Sequence, residues 1–107
     1  MQKLIRDRIP ELAKESGAAI KFHKAGDAEF KIRLAEKLIE ESKELHDAIV
    51  LCQSDDELKA VYEEYVDLLE VTLKVKEVFE LDADEILNTM TAKQESRGRF
   101  DERIITT

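Results

Sequence analysis

The chain has 107 residues, with 25 acidic against 17 basic side chains, a formal net charge of −8, and 6% aromatic residues with no tryptophan. That is the length of one domain, 1–107, and its acidity and scarcity of rings argue against a nucleic-acid polymer as partner, which needs a basic face. The single cysteine forms no internal disulfide, no run of ~18 apolar residues offers a membrane span, and MQKLIRDRIP lacks a signal peptide's apolar stretch, so a cytoplasmic chain without a membrane partner is expected.

Three glycines and one proline punctuate a chain rich in Ala, Leu, Glu and Lys, all strong helix formers. Pro10 fits the first turn of a short helix reaching about Ser16, with Gly17 as a left-handed stop. Residues 18–25 read as a short extended stretch. Asp27 is the expected N-cap of a long helix over 28–51, whose stripe is Leu34, Leu38, Leu45 and Ile49. After Cys52-Gln53-Ser54, the sequence Ser54-Asp55-Asp56-Glu57 spells a capping box for a third helix over 55–79. Val61, Tyr65, Leu68, Leu69, Thr72 and Val75 are candidates for its buried side. Asp82 and Glu85 repeat the signature for a fourth helix over 83–95, and Gly98 ends it. The expected fold is an all-α helical bundle, built on a long antiparallel helical hairpin with short flanking helices.

Three residues between two long helices force them antiparallel. Counting from Gln53, Glu41 and Glu44 lie 12 and 9 residues before it, and Glu64 and Asp67 lie 11 and 14 after it. The mean offsets differ by two residues, roughly 3 Å at ~1.5 Å rise per residue. Within each pair the i, i+3 spacing keeps both carboxylates on one face, and Glu41 fills the gap in the Leu34–Leu38–Leu45 stripe. Four inward carboxylates repel unless a cation lies between them, and an all-oxygen set suits Mg²⁺ or Mn²⁺ rather than zinc. Each pair alone also reads as solvated surface, and spacing leaves both readings open.

The run KLIEESKEL (37–45) followed by EEYVDLLEV (63–71) resembles the E-x-x-E … E-x-x-D pattern of the all-α nucleoside triphosphate pyrophosphohydrolases. That superfamily includes MazG-like proteins, dimeric dUTPases and phosphoribosyl-ATP pyrophosphohydrolases. KLIRDRIPE (3–11) and RGRFDERI (97–104) are similar to a MazG-like, phosphoribosyl-ATP pyrophosphohydrolase-like subgroup, so the likeness spans the whole chain. It implies Mg²⁺-dependent cleavage of a nucleotide to its monophosphate and pyrophosphate, in a homo-dimer or homo-tetramer. It also implies that Glu41, Glu44, Glu64 and Asp67 are metal ligands, with Glu40 and Glu63 standing behind them. Non-canonical or surplus deoxynucleotides are the default substrates, and phosphoribosyl-ATP the next.

Basic residues cluster at both ends of the chain. Lys3 and Arg6, and Lys93, Arg97, Arg99 and Arg103, are candidate phosphate contacts, since arginine forks match phosphate oxygens; each could equally pair with a surface acid. Glu41, deepest in the apolar stripe, is the candidate general base. Only His23 and His46 are present, and Lys43 stands three before His46, which excludes the Glu-x-x-His pattern of di-iron bundles. The competing function is a non-catalytic acidic helical module for interaction or regulation, which needs the carboxylates on the outside.

Overall fold

The computed structural model describes residues 2–107. Four helices follow in chain order, α1 (Ile9–Glu15), α2 (Asp27–Leu51), α3 (Asp55–Val78) and α4 (Ala83–Arg97). No strand occurs among the described residues, so the fold is all-α. No helix is long and apolar enough to cross a membrane among the same residues. The chain divides into two compact units, one ending at Leu73 and the other running from Lys74 to Thr107, with α3 contributing to both.

Pro10 sits in the first turn of α1, and Gly17 takes φ +88° just past its end, a conformation that costs a side-chain-bearing residue dearly. Residues 18–26 are irregular rather than extended into a strand. The N-cap of α2 is Gly26, one residue earlier than expected, and no side chain caps it; the Gly26 carbonyl accepts the Phe30 N–H at 2.9 Å. Asp27 is therefore the first helical residue, where its charge favours the positive end of the helix dipole. At the start of α3 the Ser54 hydroxyl donates to Glu57 Oε1 at 3.2 Å, and the Glu57 N–H donates to the Ser54 carbonyl at 3.1 Å. The reciprocal side-chain-to-backbone box is thus replaced by a direct side-chain bond.

The hairpin seam lies in the first unit. Leu34, Leu38, Glu41, Leu45 and Ala48 are the least exposed positions along that stripe of α2, and Val61, Glu64, Leu68 and Val71 along α3. Four of the expected buried residues lie outside the seam: Ile49, Tyr65, Leu69 and Thr72 are exposed. The reason is geometric, because α3 carries a second apolar stripe on its outer side and Ile49 falls on the last turn of α2 beyond the packed stretch. Ahead of α1, a strap of irregular residues 2–6 reaches both long helices. Lys3 reaches Glu40 on α2 at 3.2 Å, and Arg6 reaches Asp67 and Glu70 on α3 at 2.6 and 3.0 Å.

In the second unit α3 ends with Glu80 at φ +51°. The Leu81 N–H donates to the Lys76 carbonyl and the Glu80 N–H to that of Glu77, the pattern of a Schellman cap usually built on glycine. Asp82 caps α4 as expected, its Oδ2 accepting the Glu85 N–H at 3.0 Å. Gly98, at φ +79°, closes that helix as expected, and the last helical residue is Arg97 rather than Glu95.

Candidate metal centre

The three-residue connection places Glu41 and Glu44 of α2 opposite Glu64 and Asp67 of α3. One carboxylate oxygen from each lies within 4.8 Å of all the others. Burial differs sharply among them: Glu41 is 6% exposed, Glu64 and Asp67 are half-buried, and Glu44 is exposed at the rim.

The hydrogen bonding of the cluster is incomplete. Glu41 Oε1 meets Lys37 Nζ at 3.3 Å, one helical turn away. Its second oxygen, and Oε2 of Glu64, are buried without any hydrogen-bond partner. Buried carboxylate oxygens are almost always satisfied, since leaving one bare costs kilocalories. Two such atoms in one cluster mark a place where positive charge is missing. Asp67 is supplied from outside by Arg6 Nη2 at 2.6 Å, and the same guanidinium forks onto Glu70 with two bonds of 3.0 Å.

Proton affinities follow that pattern. Desolvation first, and then the neighbouring Glu44, hold the Glu41 carboxyl above its ordinary value against the pull of Lys37. Desolvation and Glu64 likewise raise Glu44. At Glu40 desolvation is outweighed by Lys3 and Lys37, which hold it below the usual range, and the Arg6 fork does the same for Glu70. The cations thus serve the periphery, while inside the cluster Glu44 raises Glu41 and Glu64 raises Glu44.

Glu40, beside the cluster, bridges Lys3 and Lys37 at 3.2 and 3.3 Å. Glu63 is exposed and faces Lys59 at 4.0 Å instead, one step round α3 from the cluster. Lys3 and Arg6 both reach acidic side chains of the hairpin. Lys93, Arg97 and Arg99 lie in the second unit, where they line a cleft of about 920 Å³ between α4 and the segment that follows it. Arg99 donates to Gln94 Oε1 at 3.3 Å. Arg103, at φ +57°, lies in the tail.

Two participants escaped the sequence reading. Lys37 was legible, being three and four residues before Glu40 and Glu41, a spacing that stacks side chains on one helix face. The Arg6–Asp67–Glu70 fork joins residues more than 60 positions apart, and no local pattern signals it. Comparisons with protein-family models, with curated proteins and with solved structures each returned no match. The residues fit a hard divalent ion on their own terms, with an all-oxygen donor set and two buried oxygens in want of a cation.

Proposed function

We propose that the protein is a Mg²⁺-dependent nucleotide pyrophosphohydrolase, with Mn²⁺ an alternative ion, related to the MazG-like and phosphoribosyl-ATP pyrophosphohydrolase-like enzymes that its motifs resemble. The single observation that carries the reading is the meeting of four carboxylates with two partnerless buried oxygens. An acidic interaction module would turn those groups to solvent and leave no oxygen stranded. Glu41, Glu44, Glu64 and Asp67 are the ligands in this reading. A divalent ion held there supplies charge neutralisation at phosphate oxygens and Lewis acidity.

The chain's own residues do the rest. Water attacks the α-phosphorus, a new P–O bond forms, the bridge to the β-phosphorus breaks, and pyrophosphate leaves. Glu41 is the candidate to take the water's proton, and Lys37 holds its Oε1 at 3.3 Å. Lys37 and Glu40 hold the inner wall of the site, while Lys3 and Arg6 brace it from the strap. Lys93, Arg97, Arg99 and Arg103 remain the candidates for further phosphate contact. House-cleaning of non-canonical nucleotides in the cytoplasm is the role that fits this chemistry.

A second copy of the chain is the protein partner in this reading. Tyr62, Val66, Leu69 and Leu73 form an exposed stripe on α3, on the side away from Glu64 and Asp67. Their 4-3-4 spacing reads the same from either end, so two antiparallel copies across a two-fold axis align Tyr62 with Leu73 and Val66 with Leu69. The adjacent Tyr65, also exposed, gives each copy a second large ring for such a seam.

Pyrophosphate release from a panel of canonical and modified nucleoside triphosphates and phosphoribosyl-ATP, with Mg²⁺ or with EDTA, tests the activity. Metal-dependent release from at least one, abolished in Glu44→Gln and in Asp67→Asn with helicity intact, is expected. Metal binding without release from any substrate contradicts hydrolysis and leaves a regulatory module.

A further inference from the structure

The irregular segment 18–26 has no part in the metal centre, yet it walls a cavity of about 560 Å³ in the first unit, within the range of small-molecule sites. The opposite wall is the strap that carries Lys3 and Arg6, and the floor is the first turns of α2. Arg33 ties floor to strap, donating to Gln2 Oε1 at 2.7 Å. His23 ties segment to floor through Glu29 at 2.9 Å.

The lining is unlike the rest of the chain. Lys3, Arg6, Lys21, Lys24 and Arg33 line it beside two acids, Asp7 and Glu29, and of these cations Lys3 is paired with Glu40, Arg6 with Asp67 and Glu70, and Arg33 with Glu36. Lys21 and Lys24 make no ion pair among the described residues and leave cationic charge uncompensated there. Between them in sequence Phe22 presents a ring that is 62% exposed, and Phe30 adds a second ring to the lining. Cations and open aromatic faces together suit a ligand that is anionic at one end and flat and apolar at the other. Arg6 lines this cavity and also bonds Asp67 of the carboxylate cluster at 2.6 Å, so one guanidinium links the two.

We propose that this cavity binds the nucleoside end of a nucleotide, with the base stacked on Phe22, Lys21 and Lys24 attracting its charge, and the phosphates extending past Arg6 to the carboxylates. The inference rests on the pyrophosphohydrolase reading for the direction of the phosphates. Recognition of the base thereby falls to the segment between α1 and α2, and the hairpin handles only phosphate.

Titration calorimetry with Mg²⁺ and the α,β-methylene analogues of the four common deoxynucleoside triphosphates, which resist cleavage at that bridge, tests it against tripolyphosphate, which has no base. The wild type should bind at least one analogue more tightly than tripolyphosphate. Phe22→Ala should weaken that analogue about tenfold, the scale of one lost base–aromatic stack, and leave tripolyphosphate unchanged. Lys24→Glu should weaken both. Wild-type affinity for the analogue in Phe22→Ala, equal binding of tripolyphosphate and analogues, or no binding of any analogue overturns the proposal. Pyrophosphate release in the same proteins separates the two claims. Nucleotide binding lost in Phe22→Ala, without release by the wild type, contradicts hydrolysis alone; release with an unchanged KM in Phe22→Ala contradicts the cavity alone.

Discussion

Glu41 is the residue on which opposing demands meet. It occupies the apolar stripe of α2, is almost wholly removed from water, and has a cation on one oxygen only. Without metal, its raised proton affinity means that the folded protein binds more protons there than the unfolded chain. Stability contributed by the protonated form is therefore lost as pH rises from the ordinary glutamate value of about 4.5 through the elevated folded value. Glu44 adds to the same trend. Glu40 and Glu70 act oppositely: their depressed values give stability that is present above the ordinary range and lost as pH falls through the folded values. Glu41→Gln removes the buried charge while keeping the shape. In EDTA at neutral pH it should melt a few degrees higher than the wild type, a gain on the order of 1 kcal/mol, and the gain should shrink in acid. The same variant should lose the Mg²⁺-induced rise in melting temperature. A metal-free variant that melts lower than the wild type at neutral pH would show that the carboxylate is well compensated by Lys37.

Among the helices, the ends give the clearest tests. Glu80 closes α3 in the left-handed region, where a side chain is strained and glycine is not. Glu80→Gly should stabilise by about 0.5–1 kcal/mol, and Asp82→Ala, which removes the cap of α4, should cost about 1 kcal/mol. Urea midpoints at constant slope measure both. An unchanged midpoint in Asp82→Ala would mean that the 3.0 Å bond to Glu85 does no net work. Much of the element layout was legible because Gly17, Pro10, Asp82 and Gly98 are strong local punctuation and the chain has few competing breakers. The height match of Glu41/Glu44 with Glu64/Asp67 was legible too, since a three-residue connection leaves the hairpin little freedom of register. What periodicity could not resolve was which of two apolar stripes on α3 faces inward. Tyr65, Leu69 and Thr72 satisfy helical spacing as well as Val61, Leu68 and Val75 do. Only the demand that Glu64 and Asp67 share the seam with α2 decides between them. The strap's grip through Lys3 and Arg6, and the cavity behind it, depend on contacts between distant segments and left no trace in local pattern.

For the molecule as a whole, only Leu34 and Glu41 are thoroughly buried among the described residues of the first unit, a small interior for so long a hairpin. Leu34→Ala should cost about 2–4 kcal/mol, whereas Ile39→Ala, 71% exposed on the same helix, should cost less than about 0.5 kcal/mol. The outer stripe of α3 supplies what the interior lacks if a second copy covers it. Sedimentation equilibrium should then give a dimer or a multiple of one, and Val66→Glu with Leu69→Glu should yield a less stable monomer that keeps its helicity. A monomeric wild type at tens of micromolar would remove the second copy from the reading without touching the metal centre. That centre is tested most directly by anomalous diffraction from crystals soaked in Mn²⁺. One or more anomalous peaks within bonding distance of Glu41, Glu64 and Asp67 are expected, with the two partnerless oxygens among the ligands. Four carboxylates with no anomalous density between them at millimolar Mn²⁺ would contradict the claim that this cluster exists to hold a divalent ion.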